Sequence, residues 1–213
     1  MYTLFGAKGS GSVSAEAALT LAAIEFRSVD AASWGSSPGP GVEELRRVNP
    51  LCQIPTLQLP DGSVLTESAA ILIHLGLQHP ATGLLPVDAA ARAQAIRGLV
   101  YVAANCYAAI GVIDFPERFC ADADEATGKR IKAGTTQRLH YLWEVFADTF
   151  PARPFLGGQH LGALDLLAAV VSKWSGSRKH LATARPAFSA LLARIESDPR
   201  VAPVFARHWP PVA

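Results

Sequence analysis

Asn49-Pro50-Leu51-Cys52-Gln53-Ile54-Pro55-Thr56-Leu57, followed by Asp61-Gly62 and by Leu65-Thr66-Glu67-Ser68-Ala69-Ala70-Ile71, is the stretch that decides the fold. A residue before proline is pushed out of the helical region, so Gln53 to Leu57 predicts a short extended run. A proline at the mouth of a strand is often cis, where it makes a tight turn. Such a turn at Pro55 leaves the Ile54 N–H and C=O free to pair with a ligand's extended backbone. Asp61-Gly62 between two apolar runs predicts a hairpin. Thr66-Glu67-Ser68 then opens an apolar helix over residues 69–77, whose first N–H groups and dipole favour a carboxylate. Taken singly, each feature is ordinary turn or cap chemistry; their order is far more specific. Together they describe a site for a peptide-like ligand carrying both an ammonium and a carboxylate.

The bulk properties agree with a compact enzyme-sized chain. With 213 residues it holds one large or two small domains. Half of the residues are hydrophobic and 17% are charged, which excludes a disordered chain. A net charge of +1 gives no footprint for nucleic acid or an anionic membrane. No apolar run is expected to reach bilayer-spanning length, and no signal-like segment leads the chain, so the expected location is cytoplasmic. Three widely spaced cysteines make neither a disulfide framework nor a metal site.

Outward from the deciding stretch, the order of elements is legible. Residues 2–5 predict a strand, 13–24 a helix with apolar residues three and four apart, and 26–29 a second strand. The Ser-, Gly- and Pro-rich run 33–41 is a loop, and 42–48 a short helix. Residues 80–88, with prolines at 80 and 86, form the linker between a first domain, 1–79, and a second, 89–213. Beyond the linker strand signals fade. Helices are expected over 89–112, 126–150, 161–171 and 185–196, with a last turn near 201–207.

This arrangement resembles the soluble glutathione S-transferase superfamily, in its bacterial, serine- or beta-like form. The resemblance is strongest from Asn49 to Ile71. It extends through Phe155 to Asp165, which is similar to the segment entering the family's central buried helix, with Gly162 at the cap and Asp165 three residues on. Pro199 matches the family's late helix break. The resemblance implies a glutathione transferase fold: an α/β thioredoxin-like N-terminal domain followed by an all-α helical-bundle domain. It implies glutathione as co-substrate, a small hydrophobic electrophile, a homodimer, and no metal, nucleic acid or membrane partner.

By the same resemblance Glu67 and Ser68 bind the γ-glutamyl ammonium and carboxylate. Ile54, before Pro55, makes backbone bonds to the cysteinyl part, and Gln53 is a polar contact. A transferase must favour the glutathione thiolate, the nucleophilic form. Family members do so with a donor at the first strand–helix turn, here Gly9-Ser10-Gly11-Ser12. The family's serine slot falls at Gly9 and its cysteine slot at Gly11, so the donor is expected from Ser10 or Ser12. Alternatively Tyr107 or Asn105, on the helical wall, supplies what the loop lacks. Ser12 and Ser14 are equally natural helix caps. Glu16 stands where the family often has Arg. The leading expectation is a transferase. The alternatives are a glutathione-binding protein with little catalysis, or a glutathione-dependent isomerase or dehalogenase.

Overall fold

The computed structural model describes residues 1–34 and 38–210. Part of the expected loop, residues 35–37, lies outside the described residues. Among the described residues the first half holds four strands: β1 (Tyr2–Gly6), β2 (Phe26–Asp30), β3 (Thr56–Gln58) and β4 (Val64–Thr66), in the order β2-β1-β3-β4. β1 runs parallel to β2 and antiparallel to β3, with Leu4 opposite Leu57, and β4 returns antiparallel to β3.

Alternation along β1 sends its side chains to opposite faces, and both faces are covered. Leu4 joins the large core with residues of α1 (Ser12–Leu21) and α3 (Ser68–Gln78). Phe5 enters a smaller cluster with Ala31 and Leu45, the latter from α2 (Val42–Val48). The expected hairpin is present, with Gly62 at φ 87, a left-handed value that glycine adopts without cost. α1 ends three residues earlier than its pattern predicts. Ala23 turns left-handed at φ 52, Ile24 N–H reaches back to Leu19 C=O and Ala23 N–H to Thr20 C=O, both at 3.0 Å. That pair of hydrogen bonds closes the helix in the manner of a Schellman cap.

The second half is helical. The single helix expected over 89–112 is α4 (Ala89–Tyr101), a widened π-helical stretch over Val102–Tyr107, then α5 (Ala108–Asp114). Contrary to the sequence expectation, the run Ala89–Asp114 is long and apolar enough to cross a bilayer by length and composition. Here its Leu99, Val102, Cys106 and Ile110 are buried in the core instead. The 25-residue α6 (Glu125–Thr149) packs along α5. α7 (Ala163–Val171) is buried at every position, because it is apolar all round and lies at the centre. Three helices follow: α8 (Ser177–Ala184), not anticipated, then α9 (Pro186–Ser197) and α10 (Ala202–His208).

The entry to α7 explains its glycine. A Cβ on Gly162 would lie 2.9 Å from the Leu84 carbonyl oxygen, so Ser or Thr does not fit this cap. Asp165 compensates from inside the helix. Its carboxylate accepts from Leu156 N–H at 2.8 Å and Gly162 N–H at 3.0 Å. Burial pushes this carboxyl up to about 6, against backbone N–H groups that favour its charge.

Candidate active site

One side chain shapes the turn before β3. Asn49 donates through Nδ2 to Gln53 C=O at 3.1 Å and to Thr56 Oγ1 at 3.0 Å, and its Oδ1 accepts from Leu51 N–H at 3.1 Å. Thr56 Oγ1 also donates to Gln53 C=O at 2.7 Å. Held this way, the chain passes through a cis Ile54–Pro55 bond. Among the described residues neither the N–H nor the C=O of Ile54 has a partner.

The start of α3 faces the same space. Glu67 caps the helix at φ 66, left-handed for a non-glycine residue, and its side chain is exposed and makes no cap bond. Such strain persists only where the surroundings hold it, and it clusters at functional positions. Beside it Ser68 is 5% exposed, and its Oγ has no hydrogen-bond partner. A buried hydroxyl without a partner is unfavourable by about 1–3 kcal/mol, so an acceptor-rich ligand end at this helix N-terminus would be welcomed. Gln53, Ile54, Pro55, Glu67 and Ser68 thus converge on one cleft of about 740 Å³.

The opposite wall of that cleft comes from the helical half, through Ala103, Tyr107, Phe115 and Arg118, with Trp34 and Leu51 at its rim. Tyr107 ends the π-helical stretch and stacks on Trp174 at 5.7 Å between ring centroids, which fixes the direction of its phenol. That phenol points at Gly11, the residue capping α1. A Cβ on Gly11 would lie 2.0 Å from Tyr107 Oη. Gly11 has helical φ −60 and ψ −20, so its backbone would tolerate a side chain. Space alone demands glycine, and the phenol fills that space. Burial, with Glu67 and Asp114 nearby, pushes the phenol up to about 12, although the Gly11 N–H favours its anion. The hydroxyl therefore keeps its proton at neutral pH. That proton is available to be donated to a ligand in the cleft.

The turn before α1 spends its own hydroxyls internally. Ser12 is buried and its Oγ accepts from Ala7 N–H at 3.1 Å. Ser10 Oγ donates to Ala7 C=O at 2.9 Å and lies 2.8 Å from Ser12 Oγ. Neither serine lines the cleft with Glu67, and Asn105 Nδ2 turns back to Tyr101 C=O at 3.1 Å. Tyr2 is engaged with His79, 3.1 Å away.

The C-terminal helix grips this turn from behind. Gly9, at φ 66, donates its N–H to His208 Nδ1 at 3.1 Å. An accepting Nδ1 puts the imidazole proton on Nε2, which lies 2.8 Å from Glu16 Oε2. Arg207 pairs with the other Glu16 oxygen at 2.6 Å. Burial opposes the Glu16 charge, but the His208 and Arg207 contacts outweigh it and hold the carboxyl below its ordinary value. Glu16, where the resemblance led one to look for Arg, is thus a latch residue. Arg118 and His208 gave no signal in the sequence: a cation beside a proline turn is ordinary, and His208 acts on Gly9 and Glu16, far from it along the chain. No cluster of three or more metal-ligating side chains occurs among the described residues.

Comparison with known proteins agrees with this architecture. Residues 14–78 match the family model described as glutathione S-transferase, N-terminal domain. A GST-like protein of Escherichia coli K12, YncG, is 30% identical over 208 residues, covering 98% of each chain. A glutathione transferase homologue from Sulfitobacter, solved with bound glutathione, superposes with TM-score 0.81 at 21% identity over 96% of each chain. A glutathione S-transferase of Methylobacterium radiotolerans, in complex with glutathione sulfonate, gives TM-score 0.74 at 26% identity, covering 95% of this chain and 93% of that one. Matched from end to end by such a relative, and built on this thioredoxin-like sheet with its helical partner, the chain belongs to the glutathione S-transferase superfamily.

Proposed function

We propose that the protein is a glutathione transferase that binds glutathione in the cleft between Ile54 and Tyr107 and conjugates it to a small hydrophobic electrophile. Glutathione's γ-glutamyl ammonium pairs with Glu67, and its carboxylate takes the Ser68 hydroxyl and the α3 N-terminus. The cysteinyl part bonds to the Ile54 backbone beside Pro55, and Gln53 is a further polar contact. In this reading the thiol donor is Tyr107, whose phenol donates to the sulfur as the thiolate forms. Ser10 and Ser12 act indirectly, by holding the turn. The thiolate's negative charge is stabilised by one charge-assisted hydrogen bond and by the α1 N-terminus. The observation that carries the proposal is the phenol of Tyr107 standing where a side chain at position 11 would project, in the same cleft as the unpartnered Ser68 hydroxyl.

The reading includes a division into a glutathione-binding domain, 1–79, and a helical domain, 89–213, joined by 80–88. It also includes a cytoplasmic location and a homodimer. A second reading, a glutathione-binding protein with little turnover, draws on the lack of any side chain at Gly9 and Gly11. Calorimetry with glutathione tests the first step. Glu67→Ala should weaken binding about tenfold or more, because the ligand's ammonium loses its carboxylate. Unchanged affinity would remove Glu67 from the site. Turnover of an aryl halide by the wild type separates the transferase from the binding protein.

A further inference from the structure

The charge pattern of the cleft carries a statement about what binds opposite glutathione. Among the described residues, only Glu67 and Arg118 bring formal charge to its lining. Glu67 belongs to the glutathione side. Arg118 sits on the far wall, on the short turn Pro116–Phe119 that follows α5. Its guanidinium lies over the Phe115 ring, 3.9 Å from the centroid. A guanidinium held by an aromatic ring keeps its forked N–H donors for a planar anion. Among the described residues no carboxylate lies within ion-pair distance of Arg118, and none accepts a hydrogen bond from its guanidinium. The surroundings are apolar: Phe115, Trp34 and Leu51 are 40%, 52% and 75% exposed, an unusual concentration of large apolar side chains left in solvent.

We propose that the second substrate is an apolar, planar electrophile bearing a carboxylate, which Arg118 receives edge-on while Phe115 and Trp34 cover its ring. This rests on the glutathione reading above and specifies its second substrate. A planar carboxylate matches the guanidinium fork with two parallel hydrogen bonds, whereas a neutral amide or ester matches it poorly. Placing the anion at the rim keeps the reacting carbon in the apolar interior, next to the sulfur that Tyr107 faces.

Binding of ready-made conjugates tests this without depending on turnover. Three ligands are compared by calorimetry: S-(4-carboxy-2-nitrophenyl)glutathione, its 4-carboxamide counterpart, and glutathione itself. The wild type should bind the carboxylate conjugate roughly tenfold more tightly than the carboxamide. Arg118→Gln should erase that difference while leaving the carboxamide conjugate and glutathione unchanged, and Arg118→Lys should restore part of it. Equal affinities in the wild type, or a difference that survives in Arg118→Gln, would overturn the proposal. So would a parallel loss of glutathione affinity in Arg118→Gln, which would assign the guanidinium to glutathione's glycyl carboxylate. Failure of all three ligands to bind would instead remove the glutathione reading on which the proposal stands.

Discussion

Two turns meet at the cleft, and they are built on opposite plans. The turn from Asn49 to Thr56 is shaped by its own neighbours: Asn49 bonds to Leu51, Gln53 and Thr56, all within seven residues. The turn from Ala7 to Ser12 is shaped from far away, by His208 behind Gly9 and Tyr107 in front of Gly11. Recognition of an extended ligand by backbone groups needs only local conformation, and local conformation is written in local sequence. Supplying one hydroxyl to one sulfur needs only a donor at a point in space, and any element that reaches the point will serve. The first turn therefore reads directly, while the second reads as two glycines and two serines, with Ser10 or Ser12 the donor expected from the loop and Tyr107 the alternative from the helical wall.

The scaffold behind both turns should give the largest measurable effect. α7 packs on α1, α3 and the π-helical stretch, and Asp165 anchors its first turn. Because burial raises this carboxyl to about 6, its contribution to stability is full below about pH 4 and is lost as pH rises through 6. Relative to Asp165→Asn, the wild type should lose about 3 kcal/mol of unfolding free energy across that window. Urea unfolding at a series of pH values checks this. A constant difference between the two proteins would show that Asp165 keeps its ordinary titration.

Gly11→Ala attacks the contrast itself. Its new methyl would overlap the phenol of Tyr107, and overpacking of this kind typically costs about 1–3 kcal/mol. Displacement of Tyr107 from its stack on Trp174 should alter tryptophan fluorescence and slow conjugation, with glutathione affinity nearly retained. If both activity and fluorescence are unaffected, the phenol does not occupy the position 11 side-chain space in solution.

A smaller effect is expected at the back of the turn. His208→Phe removes the acceptor for Gly9 N–H and should cost about 1 kcal/mol, the ordinary worth of such a bond. Hydrogen exchange at the Gly9 amide should quicken, and His208→Asn, which keeps an acceptor, should partly restore protection. Equal exchange in all three proteins would leave the latch without a role.

These differences also mark what was legible in the sequence. α2 falls on its expected bounds, 42–48, because Gly41 and Asn49 punctuate it. The hairpin and the α3 start follow from Asp61-Gly62 and Ser68, whereas Pro55 marked a turn without deciding its isomer. α8 escaped notice because Ser177-Arg178-Lys179-His180-Leu181 offers a single large apolar residue, Leu181, and no stripe. The π-helical stretch is hidden for a different reason: its residues suit an α-helix equally well, and only packing against α6 and α7 distinguishes the two. Tyr107 was readable as a candidate from its place on the helical wall, but its contact with Gly11 was not. Arg118 carries no local pattern at all, since a cation beside a proline turn is ordinary surface chemistry.

The central claim is that the thiol donor comes from the helical half. Thiolate absorbance of bound glutathione, titrated against pH in the wild type, Tyr107→Phe, Ser10→Ala and Ser12→Ala, tests it most directly. One hydrogen bond to a charged group is worth roughly 1.5–3 kcal/mol, so Tyr107→Phe should raise the bound thiol's midpoint by about one to two pH units. The two serine variants should stay close to the wild type, and no second limb should appear near neutral pH, because the phenol titrates only at about 12. An unchanged midpoint in Tyr107→Phe, with a rise in Ser10→Ala or Ser12→Ala, would return the donor to the first turn and contradict the account.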